Sequence, residues 1–309
     1  MTDVLIAIPT FRRPMGLARL LAALEKLETT AQVEVLVADN DIDGREGISL
    51  CEELQAKNYR WPLRGIAVRQ RGIAQVRNAL VEYALANSTA QFLAMLDDDE
   101  WPESGWLDAL LSVQRRTGAD ALHGAVLREF EVAPGAWASR CQGIAPLRGR
   151  TGIVDMIHGT ANVLLSRACL IRMNGPWFDP AFALTGGEDK EFFTRLKKSG
   201  AMFAWADDAI VVAHVPVSRS NLGWALQRAY RVGNSDMRVF LKHERNAGLR
   251  AFEIAKVAGA MVLSPFQLVA QVTNPGARVA CFCRIWRAAG KIAALRGAYY
   301  NEYATIHGR

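Results

Sequence analysis

Phe92-Leu93-Ala94-Met95-Leu96-Asp97-Asp98-Asp99-Glu100 is an apolar run of five residues that ends in four consecutive carboxylates. The run has the length and character of a strand buried on both faces of a parallel sheet, which puts the acids at its carboxyl end. Crowded carboxylates repel one another. A shared divalent cation turns that repulsion into ligation, because Mg2+ and Mn2+ take oxygen ligands and bridge phosphates. The plainer alternative is a solvated acidic turn that caps the next helix. In such a turn Asp97 and Asp99 converge while Asp98 points elsewhere, so Asp99 is the expected metal ligand.

On either side of this stretch, short apolar runs alternate with amphipathic ones, the pattern of a mostly parallel sheet flanked by helices. The pattern predicts strands at 4–8, 33–38, 66–68 and 92–96, and helices at 14–27, 47–57, 73–86 and around 104–117. Beyond Ala119 it predicts strands at 121–126 and 161–165, a Gly- and Pro-rich loop over 133–152, a helix at 188–199, and short strands near Ala204 and at 210–213. Helical patterns dominate from Asn221, which sets a boundary near Arg219. Ligands of open parallel sheets bind outside the carboxyl ends of the strands. Three of those ends carry Thr10, Asp39-Asn40 and Asp97-Asp98-Asp99. The chain has no Gly-x-x-x-x-Gly-Lys-Ser/Thr loop, no Gly-x-Gly-x-x-Gly, no His-Glu-x-x-His and no Gly-x-Ser-x-Gly. The main rivals that share this topology are thereby removed.

A second cluster, Gly186-Gly187-Glu188-Asp189, combines backbone freedom with an acidic pair at a helix start, where the helix dipole favours negative charge. Read plainly it is a charged helix start; read chemically, Asp189 is a candidate general base for a reacting hydroxyl. Arg71 and Arg77 open another helix, and their planar forks suit diphosphate oxygens as well as structural ion pairs. His214 reads either as a metal ligand or as a satisfied core histidine. Trp101, Trp106, Trp177 and Phe178 could stack on acceptor sugars, although single aromatics are more often core.

The succession Val4-Leu5-Ile6-Ala7-Ile8-Pro9-Thr10-Phe11-Arg12-Arg13, Val37-Ala38-Asp39-Asn40, Ala74-Gln75-Val76-Arg77-Asn78, Leu96-Asp97-Asp98-Asp99 and Gly187-Glu188-Asp189 resembles the inverting glycosyltransferase family 2, in order and spacing over about residues 1–218. Val215-Pro216-Val217-Ser218-Arg219 and Arg228-Ala229-Tyr230-Arg231-Val232-Gly233 resemble a narrower group, the rhizobial exopolysaccharide (succinoglycan-type) glucosyltransferases that extend lipid-linked repeat units. The resemblance implies an α/β GT-A fold, with a Rossmann-like nucleotide-binding half over 1–100 and an acceptor half over 101–218. It further implies Thr10 and Asp39 at the base, usually uracil, and Arg77 near the nucleoside or phosphates. Asp97 would lie near the ribose, with Asp98 in the same nucleotide-sugar site. Mn2+ or Mg2+ would sit on Asp99, with His214 as a second candidate ligand, and Asp189 would be the base. The implied reaction moves a sugar, by default glucose from a UDP donor, onto a hydroxyl of a lipid-linked or polysaccharide acceptor in surface or exopolysaccharide synthesis. A non-catalytic nucleotide-sugar or glycan-binding protein of the same fold is the other reading. Intact Asp97, Asp99 and Asp189 argue against it.

The net charge of +6 hides an asymmetry. Residues 1–218 hold 23 Lys and Arg against 27 Asp and Glu, whereas residues 219–309 hold 14 against 4. A strongly basic end suits an anionic surface. No charged residue stands between Lys256 and Arg278, and residues 257–272 are mainly apolar. Interrupted by Pro265, Gln267 and Gln271, that run falls short of the roughly 20 apolar residues of a spanning helix. It predicts a pair of helices lying on an anionic bilayer, with packing into a homodimer as the other use. The expected partners are therefore a nucleotide diphosphate sugar, a polyprenyl-linked glycan and an anionic membrane surface. Nucleic acid is not expected, because the cations are not interleaved with exposed aromatics. Five cysteines without a zinc-type pattern, and a start that runs straight into a strand, favour the cytoplasmic face of the inner membrane.

Overall fold

The computed structural model describes residues 2–300 apart from Gln142 and Val272. The end of the basic region set apart above, residues 301–309, lies outside the described residues. The first half alternates β1 (Val4–Thr10), α1 (Pro14–Leu24), β2 (Val33–Asp39), α2 (Glu46–Ala56), β3 (Leu63–Ala67), α3 (Ile73–Asn87) and β4 (Phe92–Met95). Then follow β5 (Glu100–Pro102), α4 (Trp106–Thr117), β6 (Ala121–Phe130), β7 (Gly152–Val154), β8 (Val163–Ser166), α5 (Arg167–Met173), α6 (Glu188–Lys198) and β9 (Phe203–Val215). The helices α7 (Leu222–His243), α8 (Ala247–Ala270) and α9 (Pro275–Leu295) complete the described chain.

Among the described residues nine strands form one sheet, in the order β3-β2-β1-β4-β8-β6-β9-β5 with β7 attached to β9. β1 pairs in parallel with β2 and with β4, so the strand order reverses on either side of β1. Such a reversal opens a crevice at the carboxyl ends, where ligands of open α/β sheets bind. β8 runs antiparallel between β4 and β6, and β6 resumes parallel pairing with β9. The sheet is therefore mixed but mostly parallel.

Two apolar layers sandwich it. One packs Leu17, Leu20, Leu21 and Leu24 of α1, with Trp106, Leu107 and Leu110 of α4, against one face. The other packs Leu80 and Val81 of α3, with Phe192, Phe193 and Leu196 of α6, against the opposite face. Trp106 and Phe178 are fully buried and Trp177 nearly so, which makes these three aromatics core rather than sugar platforms. Trp101 is partly exposed, with the Arg19 guanidinium 4.7 Å above its ring.

Several elements differ from the sequence pattern. α1 stops at Leu24, and Leu27 reaches the same core from the following turn. The two short strands expected near Ala204 and at 210–213 are one strand of 13 residues, β9, interrupted on the β6 side by a register shift between Gly124 and Ala125. Within the expected loop, 136–140 form a single 3-10 turn and Leu147 bridges to Val126. The basic end folds as three helices rather than a pair. α8 runs unbroken through Pro265 for 24 residues, so it is long and apolar enough to cross a membrane, contrary to the length argument from sequence.

Candidate active site

The crevice beside β1 is built by close backbone approach. A Cβ on Gly16 would stand 2.4 Å from the Asp98 carbonyl oxygen, so only glycine lets the first turn of α1 sit on the acidic turn. That approach carries Arg13, at the start of α1, to the carboxylates. Its Nη1 donates to Asp98 Oδ1 at 2.9 Å and to Asp99 Oδ2 at 3.2 Å. Thr10 Oγ1, at the end of β1, donates to Asp98 Oδ2 at 2.9 Å. Arg219 Nη1, just after β9, donates to the same Asp99 Oδ2 at 3.1 Å. Asp98 is thus turned inward and shares Arg13 with Asp99, where the sequence reading had it pointing elsewhere. Burial first, and the neighbouring Asp99 charge as well, raise the Asp98 carboxyl to about 6 against the pull of Arg13.

Asp97 takes a different partner. Its Oδ1 accepts from Arg77 Nη2 at 3.2 Å, while Arg77 Nη1 donates to Glu188. The Arg77 and Glu188 side chains are 7% and 4% exposed, so this link is a buried ion pair. It fastens the first turn of α6 to the acidic turn. Asp189, the next residue, is half-buried at the same helix start. Gly187 precedes them with φ +93°, a left-handed conformation that makes the tight entry into α6 possible.

The remaining expected residues are placed less directly. Asp39 is 1% exposed, and its two oxygens accept the backbone N–H groups of Asp41 and Gly47, both at 2.9 Å. It shapes the loop between β2 and α2 at the rim of the crevice. Arg71 lies over the Phe11 ring at 4.9 Å. His214 does not bring its ring to Asp99. Its backbone N–H donates to the Asp99 carbonyl at 3.0 Å, but its Nε2 lies 3.0 Å from Glu131 Oε1. Arg219 reaches Asp99 instead.

Sequence reasoning missed Glu188, Arg13, Arg219, Glu100 and Lys190. Glu100 is 5% exposed on β5, and burial, then Asp97 and Asp99, raise its carboxyl well above the ordinary range. Lys190 pairs with Asp236 of α7, which also accepts from Arg287 Nη2 of α9 at 2.5 Å. Glu100 carried a local signal as the fourth carboxylate of the acidic run, and Glu188 and Lys190 as neighbours of Asp189. The arginine partners of the acidic turn are 20, 85 and 120 residues away from the carboxylates they hold.

The donor set suits a hard divalent cation: three aspartates in a row, buried or half-buried, with a fourth carboxylate behind them. Among the described residues no three Asp, Glu, His or Cys side chains already form a metal cage. A Mg2+ or Mn2+ site that uses one or two carboxylates and takes the rest of its ligands from phosphate and water needs none.

With this geometry in view, the family model described as glycosyl transferase family 2 matches residues 5–172, the segment from β1 through α5. The succinoglycan biosynthesis protein ExoM of Rhizobium meliloti (strain 1021) is 33% identical over 264 residues, covering 82% of this chain and 80% of its own. The chain belongs to glycosyl transferase family 2. It is accordingly a glycosyltransferase, related to a protein of exopolysaccharide biosynthesis. Among solved structures, S. aureus TarS 1-349 in complex with UDP matches all of this chain and 95% of its own, at TM-score 0.54 and 15% identity. The complex of the same protein with UDP-GlcNAc matches at TM-score 0.54 and 14% identity. At these identities the likeness is one of fold.

Proposed function

We propose that this glycosyltransferase moves glucose from UDP-glucose, with inversion, onto a hydroxyl of a polyprenyl-linked glycan in the assembly of an exopolysaccharide. The observation that carries the reading is Arg77, which ties Asp97 and the Glu188-Asp189 helix start to one crevice at the reversal of strand order. The relation to ExoM supports the class of product, and the fold shared with TarS, whose structures hold UDP and UDP-GlcNAc, supports a uridine nucleotide sugar.

In this reading Thr10, Asp39 and Arg77 border the nucleotide, and Asp97 and Asp98 the nucleotide sugar. Mn2+ or Mg2+ would be held by Asp99, and when bound it stabilises the negative charge of the departing diphosphate. Arg13 and Arg219, which hold Asp99 Oδ2, keep the carboxylate oriented beside the crevice. Asp189 takes the proton of the acceptor hydroxyl as its oxygen bonds to the anomeric carbon. The bond from that carbon to the diphosphate breaks, and its electron pair leaves with the nucleotide. The basic helices α7 to α9 set the enzyme on the cytoplasmic face of the inner membrane, where such an acceptor is embedded.

Release of UDP from UDP-glucose, with and without Mn2+, tests the assignment. Asp189→Asn should lower turnover by about 10²–10⁴-fold, the usual weight of a general base. Equal rates in the two proteins would remove Asp189 from catalysis. A thermal-shift panel of nucleotide sugars would name the base, because binding to the folded state raises its stability by mass action.

A further inference from the structure

On α8, Glu253, Val257 and Ser264 face the rest of the protein, and Lys291 of α9 pairs with Glu253 at 2.6 Å. The opposite face carries Phe252, Val262, Leu263, Phe266 and Val269, of which Phe266 is 71% and Val269 76% exposed. Residues 3, 4 or 7 apart share a helix face, so these side chains make one apolar stripe along ~26 Å of helix. At its edge lies an open cavity of about 280 Å³, lined by Arg140, Gln267, Gln271, Ala277, Cys281 and Arg284 among others. Arg140 comes from the 3-10 turn of the catalytic body and packs against Gly276 at the start of α9. Arg284 donates to Gln267 across the cavity. No Asp or Glu occurs between Glu253 and Glu302, so the cavity's cations stand in a stretch without acidic residues. Among the described residues no carboxylate forms an ion pair with Arg140, Arg278 or Arg284.

We infer that this cavity receives the phosphate of an anionic phospholipid while the α8 stripe lies in the bilayer interface beside it. The combination fits a lipid monolayer, which offers apolar chains and a phosphate side by side. A second copy of the same face is a poor occupant, because it would set Arg140 and Arg284 against their own counterparts. A spanning α8 fits no better. α9 packs along it with Arg278, Arg284, Arg287 and Lys291, and cations at mid-bilayer are strongly disfavoured. An in-plane helix keeps these cations at the headgroups. The inference rests on the membrane-surface reading above and adds to it a headgroup site.

Co-sedimentation of the full chain with vesicles at ~0.15 M salt tests it. One set is phosphatidylcholine alone, and in the other about a third of the lipid is phosphatidylglycerol. Expected is binding to the anionic set, weakened about thirty-fold in the double variant R140Q/R284Q, from two cations at about 1 kcal/mol each. Phe266→Ser should weaken it about ten-fold or more. R115Q/R116Q, which removes the same charge from exposed α4, should stay within about two-fold. Sugar-nucleotide turnover should be unchanged in R140Q/R284Q, which shows an intact fold. Anionic binding that survives R140Q/R284Q, or that falls equally with R115Q/R116Q, overturns the cavity and leaves the membrane reading standing. No vesicle binding by the parent overturns both, while UDP release still judges the glycosyltransfer. Equal binding to neutral vesicles doped with a polyprenyl diphosphate would overturn the assignment to bulk phospholipid.

Discussion

Arg77→Met isolates the contact on which the site is assembled. The arginine serves two carboxylates of unequal burial: the Glu188 side chain is 4% exposed and Asp97 35%. Solvent screens the Asp97 pair, which should contribute no more than about 1 kcal/mol. Deleting one partner of a buried pair costs about 3–5 kcal/mol, so nearly the whole effect belongs to Glu188. Urea unfolding should therefore show R77M destabilised by about 3–5 kcal/mol and D97N by less than about 1 kcal/mol. A well-packed apolar replacement for a buried pair is close to neutral. R77M/E188M should accordingly be more stable than R77M alone, with a coupling of about 2 kcal/mol or more in the double-mutant cycle. If R77M cost under about 1 kcal/mol, or if the two substitutions added without coupling, the buried tie between α3 and α6 would be refuted.

Three further outcomes are expected. Asp99→Asn should abolish the part of the UDP thermal shift that depends on Mn2+, leaving the metal-free melting temperature within about 2–4 °C, the shift that corresponds to 1 kcal/mol or less; a Mn2+ response equal to that of the parent would exclude Asp99 as a ligand. Gly290→Ala should cost about 3 kcal/mol or more in urea unfolding, because its Cβ would stand 1.9 Å from the Tyr230 carbonyl where α9 crosses α7; a neutral result would mean the helices are not in that contact. Burial would raise the Asp236 carboxyl, but Lys190 and Arg287 outweigh it and hold it below the ordinary carboxylate range. Its contribution is thus fully present above the unfolded pKa of about 4 and lost as pH falls through the lower folded value. The stability gap between the parent and Asp236→Asn should be widest at neutral pH and close in acid, and a gap independent of pH would contradict the network.

What the sequence disclosed is what local pattern can encode. β1, β2 and β4 are apolar runs bounded by polar ends, and their boundaries fall within one or two residues of expectation. The acidic turn and the Gly-Gly-Glu-Asp helix start were legible because the chemistry is contiguous. β5 escaped notice because Glu100-Trp101-Pro102 looks like loop and becomes a strand only by pairing with β9. β9 itself was split in two by Asp207-Asp208, polar residues that interrupt its apolar alternation. Val211, Ala213 and Val215 are the buried residues of its second half, so residues 212 and 214 lie on the other face of the strand. No periodicity reports Arg13, Arg77 and Arg219, since each meets its carboxylate only after the sheet has closed.

Those arginines also bear on how the two parts of the chain work together. Arg219 stands where the sheet gives way to the basic helices, and it holds Asp99. Asp236 and Arg287, on α7 and α9, hold Lys190 next to Asp189. The helical region is therefore fastened to the acidic turn on one side of the crevice and to the start of α6 on the other. An appendage serving only as an anchor would need neither link. On the membrane-surface reading, the packing of α8 on α9 and the Arg287–Asp236 contact would link a bilayer-seated α8 to α6. On the proposed function, the same residues that hold Lys190 beside Asp189 would also orient the crevice toward a membrane-borne acceptor. Loosening them should impair transfer to a lipid-linked acceptor more than hydrolysis of the donor.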